Sequence, residues 1–139
     1  MGQWEKAKWY LHKKIKVLEK IAANTESQYR FIHKREMKGL GRVLGEREVL
    51  LEELLTLNQA LVREGNWQHV SELASVILDI TKKQQELLER SRQVLQEAMI
   101  ERTRIATELK NGKIHRSVRS QYVNPWTMMM WGNHINERG

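Results

Sequence analysis

Two helical heptad patterns, about Leu11–Leu61 and Val70–Leu109, meet at the break Glu64-Gly65-Asn66. Steps of alternately four and three residues run Leu11, Ile15, Leu18, Ala22, Thr25, Tyr29, Ile32, Glu36, Gly39, Val43, Glu46, Leu50, Leu54, Leu57 and Leu61. The second series runs Val70, Leu73, Ile77, Ile80, Gln84, Leu87, Ser91, Val94, Ala98, Glu101, Ile105 and Leu109. A period near 3.5 residues is the mark of helices packed along a shared seam. The pattern predicts an all-α protein: a long antiparallel, coiled-coil-like helical hairpin or a three-helix bundle, with a C-terminal tail segment. Residues 1–110 form the helical domain in this reading, and 111–139 form a tail that binds a client or partner.

Gly65 can take the left-handed backbone that follows a helix end, and Asn66 is a good N-cap for the second helix. So short a loop makes the two helices antiparallel neighbours. A further break is conceivable at Ala23-Asn24-Thr25, where Thr25-x-x-Gln28 resembles a capping box. Gly39, Gly41 and Gly45 weaken the first helix or pack closely, but the apolar register continues through them. Folded at residue 65, the second helix reaches back to about residue 20. Trp4, Trp9 and Tyr10 would then overhang and meet Tyr122, Trp126 and Trp131, with only Trp67 left at the turn.

With 139 residues the chain fits one domain, and its 29% charged content suits a helical rod. It has no cysteine, which removes disulfides and thiolate metal sites. No apolar run approaches a membrane span and the N-terminus lacks a signal-peptide core, so a cytoplasmic, unexported chain is expected. The net charge of +7 is uneven. Residues 1–36 carry nine Lys and Arg against four acids, 37–109 ten against twelve, and 110–139 five against one. Basic ends could attract nucleic acid, although lysines on a solvated helix face need no such partner.

The tail is the strongest functional candidate. Asn111-Gly112 ends the second helix, and Lys113–Gln121 could present Ile114 and Val118 from a short amphipathic helix. Beyond Asn124-Pro125 comes Trp126-Thr-Met-Met-Met-Trp131. Methionine-rich surfaces mould to varied apolar partners and tryptophans are frequent binding hot spots. The expected partner-binding residues are Leu109, Ile114, Val118, Tyr122, Trp126, Met128, Met129, Met130 and Trp131. The same segment could instead pack onto the overhanging first helix, or lie on a membrane surface.

No catalytic residue, cofactor or metal is expected. His33-x-x-Glu36 would set two ligands on one helix face, but a metal site in a bundle needs inward ligands from several helices. Gly39-Leu-Gly-Arg-Val-Leu-Gly45 lacks the strand and the Lys-Ser/Thr of a phosphate loop. The polar seam residues Thr25, Glu36, Gln84 and Ser91 set a register, or mark a seam that opens to a partner's helix.

The long first helix with Leu44-Gly-Glu-Arg-Glu-Val-Leu-Leu-Glu-Glu-Leu-Leu55, the Gly-containing turn, the leucine-rich second helix and a tail tyrosine, Tyr122, make the chain similar to the FlgN-type flagellar export chaperones. The resemblance spans nearly the whole chain; FliT-type chaperones share the outline. It implies a chaperone of hook–filament junction proteins that masks their terminal helices and brings them to the type III export gate. The client would engage about residues 105–131, and Tyr122 would touch the gate. The basic charge and the Met-Met-Met-Trp segment depart from that family's pattern. The alternatives are a basic helical nucleic-acid binder, dependent on Lys6, Lys8, Lys13, Lys14 and Lys16, and a structural coiled-coil oligomer such as a homodimer.

Overall fold

The computed structural model describes residues 4–111, which fold as three α-helices with no strand among them. The helices are α1 (Glu5–Lys34), α2 (Met37–Arg63) and α3 (Ala74–Lys110). The first heptad pattern is therefore not one helix. It turns back at Arg35-Glu36, so α2 returns antiparallel along α1. Asn24 on α1 donates to the carbonyl of Val43, and Arg47 donates to Thr25 Oγ1. α3 then runs parallel to α1: Glu19 meets Lys83, Glu26 meets Arg90 and His33 meets Glu97, each pair 64 residues apart. Both α2 and α3 lie along α1, while approaching each other closely at few places.

The turn after α1 uses no glycine or proline. Arg35 takes the left-handed conformation, φ 54° and ψ 35°, and its N–H bonds back to Ile32. For a residue with a side chain this costs about 1 kcal/mol. The Arg35 side chain offsets that cost by donating to Glu101, at 2.9 Å, and to Glu108, at 2.7 Å, both on α3. Nothing breaks near Thr25: α1 passes through it, and Thr25 and Asn24 are buried rather than capping.

The second turn is longer than two residues. Gly65 has φ +92°, as its place after a helix end requires. Asn66 makes no side-chain cap, however, and α3 does not start there. Two short 3-10 turns, Trp67–His69 and Ser71–Leu73, come first. The Trp67 indole donates to the Leu61 carbonyl at 2.7 Å and fastens this stretch to the end of α2.

The seam on the first two helices is rotated from the sequence expectation. Ile21, Gln28 and Arg47 are buried, as are Leu40, Leu44 and Leu51, the neighbours that widen the expected stripe, whereas Ala22 and Glu46 are exposed and Ile15, Leu50 and Leu57 are only half-buried. The α3 seam follows its expected positions closely, with Leu73, Ile80, Leu87, Ser91, Val94, Ala98, Glu101 and Ile105 all buried. Gly39 is closely packed, because the Phe31 ring occupies the place of a Cβ; Gly41 and Gly45 face open space.

The core is split in two. One apolar cluster joins Leu11, Leu18 and Ile21 to Leu51, Leu54, Leu61, Leu73, Ile80 and Leu87. The other joins Ile32, Leu40 and Leu44 to Val94, Ala98 and Ile105. Between them the buried residues are polar: Asn24, Thr25 and Gln28 from α1, Arg47 from α2 and Ser91 from α3.

Candidate partner-binding surfaces

Of the partner-binding residues expected from the sequence, Leu109 alone falls within the described part. It sits in the last turn of α3, half-buried against the cluster of Ile32, Leu40 and Ile105. Ile114, Val118, Tyr122, Trp126, Met128, Met129, Met130 and Trp131 lie outside the described residues. The end of α3 is held beside the α1–α2 turn, since Arg35 binds both Glu101 and Glu108.

That geometry removes the expected overhang of the first helix, while Tyr122, Trp126 and Trp131, which it was expected to meet, lie outside the described residues. Trp4 and Tyr10 pack against the cluster containing Leu61 and Leu73, together with Trp67 and Val70. They therefore belong to the end of the bundle opposite Asn111, because α1 turns back after 30 residues rather than after about 60. His33 and Glu36 likewise share no helix face. Glu36 precedes α2, while His33 Nε2 lies 3.5 Å from Glu97. Among the described residues no group of three or more His, Asp or Glu could hold a metal ion.

The outer surface carries apolar side chains that no neighbour covers. On α2, Leu55 and Val62 are 54% and 78% exposed and recur seven residues apart, on one stripe with Glu48. On α3, Leu78 is 71% exposed, and Met99 and Ile100 stand out nearer the tail. Heptad reading hid these residues because it scores the seam, and an apolar residue off the seam looks like a widening of the stripe. Val49 belongs to a shallow groove between α1 and α2, with Ala23, Asn24 and Leu50.

The electrostatics divide into paired and unpaired groups. Glu101 is buried on α3; burial pushes its carboxyl up, but hydrogen bonds from Arg104 and Arg35 outweigh that and hold it below its ordinary value. Glu26 is held low by its hydrogen bond from Arg90, whose guanidinium also lies over the Tyr29 ring. Arg47 has no such carboxylate among the described residues. It is buried, donates to Thr25 Oγ1 at 3.1 Å, and burial lowers its pKa from the ordinary guanidinium range to about 10. In the same polar layer Ser91 Oγ is buried without a hydrogen-bond partner. No helix among the described residues is long and apolar enough to cross a membrane. Comparison of the chain with protein-family models, with curated proteins and with solved structures finds no match to any of them.

Proposed function

We propose that the chain is a cytosolic export chaperone. It binds the amphipathic terminal helices of flagellar hook–filament junction proteins, keeps them from associating, and hands them to the type III export apparatus. It acts by binding rather than by catalysis. The observation that carries this reading is the pair Leu55 and Val62, a largely solvated apolar stripe on the outer side of α2, beside the leucines that pack into the core. A monomeric client helix exposes an apolar stripe of the same period, and laying one along the other removes both from water. The resemblance to the FlgN-type chaperones is in keeping with this reading, and implies a client contact over about residues 105–131 with Tyr122 touching the gate.

The test uses a synthetic peptide spanning the terminal helix of a hook–filament junction protein, titrated by fluorescence anisotropy. Three forms are compared: the full chain, the chain ending at Asn111, and L55E/V62E in the full chain. Binding by the full chain with at least a tenfold loss on truncation assigns the client to the tail. A comparable loss in L55E/V62E, with unchanged helicity, assigns it to α2. If the full chain binds the junction peptide no better than a scrambled peptide of equal charge, the chaperone reading is wrong.

A further inference from the structure

On α1, Lys6, Trp9, Lys13, Lys16 and Lys20 follow one another at steps of three and four, so they form a single stripe about 21 Å long. All five side chains are exposed, and Trp9 is 56% exposed despite being the largest residue on the helix. The stripe faces away from the bundle. Residues of α1 that turn toward α3, Glu19 and Glu26, are engaged by Lys83 and Arg90, and the buried positions Ala7, Leu11 and Leu18 lie on the opposite side. Among the described residues no carboxylate comes within ion-pair distance of any of the four stripe lysines. A folded bundle that needed only solubility would gain nothing from leaving a tryptophan uncovered in the middle of four unpaired cations.

We propose that this stripe is a docking surface for an anionic lipid bilayer. Its composition matches the two forces at such a surface. Ammonium groups are drawn to anionic headgroups, and a tryptophan ring settles at the boundary between headgroup and hydrocarbon. The residues are lysines rather than arginines, so they act as point charges on apolar stems and offer no planar fork for bidentate recognition of a base edge. The Lys13 ammonium lies 5.1 Å from the Trp9 ring centroid, covering a face on which a nucleobase would have to stack, while Tyr10 meets the ring edge-on. At a headgroup layer that pairing is an advantage, because the ammonium and the ring insert together. α1 is continuous from Glu5 to Lys34 and anchored by both other helices, so the stripe is presented on a straight, pre-formed face and binding orders little new chain. The inference stands independently of the chaperone reading, since a bundle with any client could dock in this way.

The experiment is vesicle sedimentation with the full chain, using phosphatidylcholine vesicles with and without about 30% phosphatidylserine, at about 0.1 M and 0.5 M salt. Partitioning should require phosphatidylserine and fall steeply at the higher salt. At about fivefold per lysine, K13Q/K16Q should weaken it about 25-fold, and Trp9→Ala should weaken it severalfold more than any loss of helicity accounts for. K82Q/R102Q removes the same charge from exposed positions on α3 and should change partitioning less than threefold. Equal losses in the two double variants would overturn the proposal, because attraction would then follow net charge and not the stripe. So would partitioning indifferent to phosphatidylserine. The same chain is titrated with labelled duplex DNA and single-stranded RNA. Tighter binding there, lost in K13Q/K16Q while vesicles are ignored, would make the stripe a nucleic-acid surface and the proposal false.

Discussion

Arg47 is a cation buried in the bundle without a counter-ion among the described residues, and replacing it should stabilise the fold. The residue is 3% exposed and has one protein hydrogen bond, to Thr25 Oγ1. Burial depresses its pKa from the ordinary guanidinium range to about 10. At about 1.36 kcal/mol for each factor of ten, the charged form is penalised by about 3 kcal/mol on folding. Arg47→Met keeps most of the stem's packing and removes the charge. It gives up one hydrogen bond, worth about 1 kcal/mol, and Thr25 Oγ1 stays satisfied because it already donates to the Ile21 carbonyl at 2.9 Å. The net expectation is a gain of about 1–2 kcal/mol, or a rise in Tm of about 4–12 °C at this chain length. The sign of the pH dependence follows from a lowered folded-state value on a base. The wild type carries the penalty in full at neutral pH and sheds it only as pH rises through about 10. The gain should therefore be the same anywhere between about pH 6 and 9. Urea unfolding followed by circular dichroism at both ends of that window reads it directly. A loss of about 1 kcal/mol or more in Arg47→Met would refute the reasoning, for it would mean that the guanidinium is compensated where it sits. Sedimentation velocity on the same variant tests a second consequence. Joining the two apolar clusters removes the polar layer that specifies register, and extra oligomeric species should appear.

Three further outcomes follow from the same geometry. Glu101→Gln should cost about 1–2 kcal/mol near neutral pH, because Arg35 and Arg104 both lose its charged oxygens; the wild type, with its carboxylate held low, should lose that increment as pH falls below about 4.5, and the variant's acid limb should be flatter in urea titrations. Gly39→Ala should destabilise by about 1–3 kcal/mol, because a Cβ there collides with the Phe31 ring, whereas Gly41→Ala and Gly45→Ala should each add up to about 1 kcal/mol to the midpoint stability in urea. Leu40→Ala, which empties a fully buried site in the smaller cluster, should cost about 2–5 kcal/mol and lower Tm accordingly.

A bundle whose two apolar clusters are separated by Asn24, Thr25, Gln28, Arg47 and Ser91 gains register from the layer more than stability, since among the described residues Arg47 lacks a counter-ion and Ser91 Oγ lacks a partner. Such a layer disfavours slipped packings of the chain on itself.

Helix was legible along nearly the whole described chain, because apolar residues recur with a helical period and interior proline is absent. For α3 the seam itself was legible, because its polar members Gln84, Ser91 and Glu101 are few and isolated among leucines, isoleucines and valines. On α1 and α2 the same reading slipped round the helix. Lys14, Gln28 and Arg47 lie on the true seam, half or fully buried, while Ile15, Leu50 and Leu57 lie beside it, so composition favoured the wrong neighbours. Gly65 announced its turn, since a positive φ suits glycine at little cost. Arg35 announced nothing. Its left-handed backbone is unfavourable locally and is held by carboxylates at positions 101 and 108, residues that are distant in the chain and meet it only after α3 has docked. That tertiary contact holds the turn of a bundle of three, where the two apolar clusters bury the helices against one another. The docking of those helices, which local sequence does not specify, puts Trp4 and Trp67 at one end of the molecule and leaves the α1 lysines outward.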